Sequence, residues 1–373
     1  MMRRTFALGL LLGLALVLAS CSPLPPSSSA TAPISTSSPD LGLHLLVEAT
    51  GNLTHKRLGW EEYLPLSFGA ALDRDDLLRA APDAEGLIVC ADLSLAQVPT
   101  DYHGGLPCPR AEPVLMRGES LVVGPRRDGL PAFSIPYILS PRHTFIQTPY
   151  PLLRWHPSTT GTITYTVRVW GGDLDWRTET TATELHYPDD APPLAPKTPY
   201  YLTVVDAEGR SSEEEQTTLD VSFSLLPTEE VEAVRAMVAQ ARTLGLDERG
   251  TQFLETEIYA THRLRADGIT RLEELAAQEN APAIHRRLGD LYLGIGLYTE
   301  AQRVYERALA AYRVLGDRAG EAAALAGLGL AHRGDGDDIT ARDYLEQARD
   351  LYQAMVDADG VVHVESVLTE MSK

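Results

Sequence analysis

The spacing of apolar side chains divides the chain into stretches of different period. From Ile163 to Trp170 the residues alternate, with Ile163, Tyr165, Val167 and Val169 on one side and Thr164, Thr166 and Arg168 on the other. Period two marks a strand with one buried face. Tyr200, Leu202 and Val204, then Leu219, Val221 and Phe223, repeat it, and Asp206-Ala207-Glu208-Gly209 supplies a turn between them. Between residues 41 and 135 the apolar runs are short and bounded by Gly, Pro and Asp: LHLLVEA (43–49), GLIVCADL (86–93), PVLM (113–116) and SLVVG (120–124). Such runs predict the short strands of a small sandwich or barrel. After Leu226 the period becomes helical and Ala, Leu, Glu and Arg take over. Pro227-Thr228-Glu229-Glu230 predicts the first helix, with Thr228 as its cap and the Glu pair at its positive end. The pattern therefore predicts a multidomain chain, an all-β N-terminal half followed by an all-α C-terminal part.

The first 40 residues fit none of these periods. Arg3 and Arg4 precede an apolar, Leu-rich run from Phe6 to Leu18, then Ala19, Ser20 and Cys21. This is the layout of a signal peptide. The run falls short of the roughly 20 apolar residues that cross a bilayer as a helix. Leu18-Ala19-Ser20-Cys21 resembles the bacterial lipobox. The resemblance implies cleavage after residue 20, a diacylglycerol group on Cys21 and an extracytoplasmic chain anchored to a membrane. Ser22 implies the outer membrane where the cell has one. An ordinary secretory signal with an incidental Cys21 is the alternative. Residues 21–40, rich in Ser, Thr and Pro, read as an extended tether.

Within residues 41–135, Gly51, Arg57, Gly59-Trp60, Pro65, Gly69 and Asp76-Leu77-Leu78 resemble the FecR-type β-domain of exported bacterial proteins. Asp75 departs from that pattern, which has Gly at this point. The strand spacing across 136–226 is similar to an immunoglobulin- or fibronectin-like sandwich. Trp155, Trp170 and Trp176 are candidate sugar-stacking platforms there, against the plainer reading of core and rim packing.

The helical part, 227–373, repeats itself. Leu288-Gly289 and Tyr292 are followed by Ala301, Tyr305 and Ala308; Leu328-Gly329 and His332 are followed by Ala341, Leu345 and Ala348. These offsets resemble the tetratricopeptide repeat, with Gly and Ala where two helices of a hairpin cross. Leu288 and Leu328 lie 40 residues apart, against 34 in the usual repeat, and the excess falls around 315–320. Tyr259, Gly268, Leu272 and Leu275 form an earlier, degenerate copy in which Glu255-Thr256 stand for Leu-Gly. Helices at 228–243 and about 361–371 are expected as end caps. The resemblance implies a groove lined by the first helix of each repeat, holding Arg286, Asp290, Leu293, Ala326, Leu330 and Arg333. It also implies protein or peptide partners, here unidentified envelope proteins.

Composition adds little to the fold and something to the partners. The chain of 373 residues carries a net charge of −20, which argues against nucleic acid. Besides Cys21 the cysteines are Cys90 and Cys108. An even pair in an exported domain is a disulfide candidate. Free thiols are an alternative, as is a metal shared with His103, one ligand short of a closed zinc site.

No nucleophile elbow, His-Glu-x-x-His motif, phosphate loop or other cofactor signature is present, and Asp335-Gly336-Asp337-Asp338 reads as a turn and helix cap, since it lacks the other ligands of a calcium loop. The expected function is a lipid-anchored scaffold, without enzymatic activity or cofactor, that binds proteins through its repeats. A sensor-like or cell-wall glycan-binding lipoprotein using the β-domains is one alternative. An accessory subunit or cryptic enzyme is another.

Overall fold

The computed structural model describes residues 41, 43–109, 134–161, 163–215 and 219–372. The signal sequence, Cys21 and the tether lie outside the described residues, as do the runs 113–116 and 120–124 read as strands.

The first β part contains β1 (His44–Thr50), β2 (Leu53–Lys56), β3 (Leu64–Pro65), β4 (Ala71–Leu72), β5 (Leu77–Ala80), β6 (Glu85–Val89), β7 (Leu95–Val98) and β8 (His103–Gly105). They form two 4-stranded sheets, ordered β4-β1-β6-β7 and β3-β2-β5-β8. Leu46, Leu53, Leu78 and Ile88 fill the space between them. Alternation along β1 and β6 sends Leu45, Val47 and Val89 the other way, into a second core shared with the helices.

The second β part contains β9 (Tyr137–Ser140), β10 (Thr144–Ile146), β11 (Leu152–His156), β12 (Tyr165–Gly171), β13 (Leu174–Thr180), β14 (Glu184–His186), β15 (Pro199–Asp206) and β16 (Phe223–Leu225). A 5-stranded sheet, β10-β16-β15-β12-β13, and a 3-stranded sheet, β14-β11-β9, share one core. β12 lies between β13 and β15 with Tyr165, Val167 and Val169 buried, as the alternation predicts. The expected strand at 219–225 is shorter, reaching only from Phe223 to Leu225, because Leu219 packs at the Gly296 turn of the helical part instead.

Eight helices follow: α1 (Thr228–Arg242), α2 (Glu248–Thr261), α3 (Arg265–Gln278), α4 (Pro282–Gly294), α5 (Tyr298–Leu315), α6 (Arg318–Gly334), α7 (Asp338–Met355) and α8 (Ala358–Glu370). Thr228 does not cap α1: Pro227 holds the cap position, without a side-chain acceptor, and Thr228 is the first helical residue. Asp247, Asp317, Asp337 and Asp357 cap α2, α6, α7 and α8 by accepting backbone N–H groups, so the Asp337 turn reads as expected. α2–α3, α4–α5 and α6–α7 are antiparallel hairpins. α5 and α7 each run 18 residues, which accounts for the 40-residue spacing. In the degenerate hairpin Thr256 fits opposite Gly268. Glu255, buried, is held by Arg242 at 2.6 Å and faces Arg271 at 3.5 Å.

Candidate functional site

The repeat pattern builds a tightly crossed stack. A Cβ on Gly289 or Gly327 would overlap the ring of Tyr305, and one on Gly329 would overlap Leu345. Tyr305 is fully buried and donates its hydroxyl to Asp290 Oδ1 at 2.7 Å. Burial, with Asp290 adjacent, pushes that phenol well above its ordinary pKa. Arg286 donates to Asp290 Oδ2 at 2.9 Å. Burial works against the Arg286 charge, but Asp290 outweighs it and the guanidinium pKa is raised. Arg287, which the repeat pattern does not single out, makes a two-pronged bond to Glu257 of α2 at 2.7 and 2.8 Å.

The two ends of the first helices are contacted by the chain's own β parts. β1 packs on α2, and Phe68 meets Phe253 edge-on with centroids 5.2 Å apart. The Arg249 guanidinium lies 4.2 Å from the centre of the Phe68 ring. Gly69, at φ +79°, comes so close to Ala283 and Phe253 that no side chain fits. Ser67 donates to Asp317 at 3.4 Å and Trp60 donates its indole N–H to Asp357 at 3.2 Å. Trp60 and Leu64 pack with Ala322 and Met355. The first β part thus runs along the N-terminal ends of α2, α4, α6 and α8.

The second β part grips the opposite ends. Tyr137 donates its hydroxyl to Gly296 O at 3.0 Å, and Arg142 Nε donates to Ile295 O at 2.7 Å. The rest of that buried guanidinium meets Glu215 at 2.6 and 2.7 Å. Phe145 N–H donates to Arg263 O at 3.0 Å, Gln147 donates to Asp267 at 3.0 Å and Arg154 donates to Glu273 at 2.9 Å. His156 lies 3.0 Å from Glu300 and holds that carboxyl below its ordinary pKa against the opposing effect of burial. A cleft of about 100 Å³ remains here, lined by Arg154, His156, Glu273, Tyr292, Glu300 and Arg303 among others.

The predicted groove is corrected accordingly. Leu293 and Leu330 are each 1% exposed and Ala326 is 7% exposed. They cannot line an open channel, because they belong to the core that also takes in Leu45, Val47, Phe68 and Tyr137 from the β parts. Arg286 and Asp290 are paired with each other, and Arg333 reaches Glu370 of α8 at 3.1 Å. Sequence reasoning missed Trp60, Phe68, Tyr137 and Arg142 as contacts to the repeats. Their partners lie far along the chain, and no local signal names them.

Other candidates resolve more simply. Trp155 is buried in the sandwich core, Trp176 packs edge-on against Tyr187, and Trp170 stacks on Tyr201 while donating to Thr203. This is core and rim packing. Cys90 and Cys108 form a disulfide. His103, weighed as a metal partner for them, lies instead on β8 opposite Arg79. Among the described residues no helix is long and apolar enough to cross a membrane.

A tetratricopeptide-repeat family model matches residues 280–354, covering α4 to α7 almost completely. No curated protein matches the chain. Repeats of this kind indicate a role in protein–protein interaction or scaffolding.

Proposed function

We propose that the chain is a membrane-anchored, extracytoplasmic scaffold that binds envelope proteins. Its repeat stack clamps two β parts in fixed relation and offers outward surfaces to partners. One observation carries the reading: the β parts close both ends of the first helices, and the apolar groove positions Leu293, Ala326 and Leu330 are buried, where an open repeat array would take a peptide. What α5 and α7 turn outward is left for others, including Val314, 88% exposed, and Ile339, 80% exposed. The match over 280–354 supports protein binding. Leu18-Ala19-Ser20-Cys21 supports the anchor, by resemblance to the lipobox.

Site-specific photo-crosslinking in cells tests this. A crosslinker at Val314 or Ile339 is expected to capture an envelope protein, while one at Phe253 yields only links within the chain. Capture from Phe253 and none from the outer positions overturns the scaffold reading. For the anchor, a Cys21→Ser chain is expected to leave the membrane fraction; continued membrane partition without lipid label overturns it.

A further inference from the structure

Among the described residues, one group of His, Cys, Asp or Glu side chains has metal-ligand spacing: His44, Cys90 and Cys108. An imidazole nitrogen and the two sulfurs all lie within 4.8 Å of one another. The fold explains why His44 is there. In the β1–β6 ladder Leu45 pairs with Val89, which sets His44 one step further on, beside Cys90. With the disulfide intact the Ala91 N–H reaches His44 Nδ1 at 3.3 Å, a long bond that gives way when the ring turns a lone pair to a metal. Cys108 arrives from the other sheet, just after β8, which pairs with β5.

We propose that reduction of the Cys90–Cys108 disulfide opens a zinc site made of both thiolates and His44. A dithiol reductant supplies two electrons and two protons: the S–S bond breaks, two thiols form, and the reductant leaves as its own disulfide. Zinc then displaces the two thiol protons, and the two thiolates balance its charge. Thiolate and imidazole suit zinc, and three protein ligands leave the fourth tetrahedral position to water. The ligands stay together without the S–S bond because other contacts place them. Cys90 is buried among Leu46, Leu78 and Ile88, His44 is fixed by β1, and Cys108 packs on the same core. A disulfide closing a loop of this size contributes roughly 3 kcal/mol, so its loss weakens the sandwich without removing its core.

Oxidation state therefore selects between a cross-link and a metal centre at one place. Neither state draws on the repeat stack, so this inference stands apart from the proposed scaffold role.

The test uses the purified chain, reduced with a phosphine, freed of it without air, and titrated with zinc against a chromophoric chelator. One zinc per chain is expected when reduced and none when oxidised. Cobalt in place of zinc is expected to show thiolate charge-transfer bands and tetrahedral d–d bands. His44→Ala is expected to weaken zinc by at least about a hundredfold, the upper end of what losing a mere orienting partner costs. His103→Ala, on exposed β8, is expected to leave affinity unchanged. The proposal is overturned if the reduced chain binds no zinc, if His44→Ala binds as tightly as the parent, or if His103→Ala is the variant that weakens it. Loss of the β-sheet circular dichroism on reduction also overturns it, since the ligands would then disperse.

Discussion

Trp60 donates its indole N–H to Asp357 at 3.2 Å, joining the first β part to the cap of the last helix across 297 residues of chain. Trp60 is 4% exposed and packs on Ala322 and Met355. Removing a buried Trp side chain costs about 3–5 kcal/mol in a core. At this smaller junction Trp60→Ala is expected to lower unfolding stability by about 3 kcal/mol. Trp60→Phe keeps most apolar contact and loses the hydrogen bond, for about 1 kcal/mol. Urea denaturation measures both. An alanine variant as stable as the parent would show that this contact does not hold the two parts together.

Arg142 ties the second β part to the repeats. Its guanidinium is fully buried, bridging Glu215 and Ile295 O. Burial lowers its pKa, but Tyr137 and Glu215 together outweigh that effect and the pKa is raised. Breaking a buried pair by removing one partner leaves a charge without compensation and costs about 3–5 kcal/mol. Arg142→Ala is expected in that range by chemical denaturation. Arg168–Asp175, at a similar distance of 2.7 Å, is exposed on the 5-stranded sheet. Asp175→Asn is expected to leave the denaturation midpoint close to that of the parent, since solvent screens an exposed pair. Equal effects from the two substitutions would contradict the burial argument.

These two contacts mark where the sequence was informative and where it was not. Periodicity revealed β12, the hairpins α4–α5 and α6–α7, and the long second helices, because each depends on neighbours a few residues away. It showed that Leu293, Ala326 and Leu330 share a face with Arg286 and Asp290. It could not show what closes the ends of those helices, since Phe68, Tyr137 and Arg142 come from over a hundred residues earlier. One hint was present: apolar side chains at three of the six supposed groove positions suit a buried face better than a wet channel. Cys90 pairing with Cys108 followed from number and context, whereas His44 beside them depends on the β1–β6 register.

Asp267 gives the chain a pH dependence of defined sign. Burial pushes its carboxyl up to about 6, against a smaller opposing effect of the Gln147 amide at 3.0 Å. The folded state therefore holds this proton more tightly than the unfolded chain does. Its contribution is fully present below about pH 4 and is lost as pH rises through about 6. Its side chain is partly exposed, so the loss is on the order of 1–2 kcal/mol. Asp267→Asn is expected to remove that decline while other groups titrate as before. Measuring stability from pH 4 to 7 for both chains gives the difference directly. Parallel curves would mean Asp267 is solvated and titrates normally.

The repeat offers one stabilising change. Gly316 ends α5 at φ 67° and ψ 18°, and Val356, 40 residues later, ends α7 at φ 60° and ψ 34°. Both occupy the left-handed region, and both precede an aspartate cap, Asp317 and Asp357. Glycine adopts this conformation without cost, whereas a β-branched side chain there is strained by about 1–3 kcal/mol. Val356 is 47% exposed, so its side chain gives back little by packing. Val356→Gly is expected to raise stability by about 1 kcal/mol, the relief of strain exceeding the added freedom of the unfolded chain. Gly316→Val is expected to lower it by a similar amount or more. Thermal and urea unfolding measure the pair. If both substitutions destabilise, Val356 makes a contact worth more than its strain, and the exposed edge beside Gly59 is where that contact would have to lie.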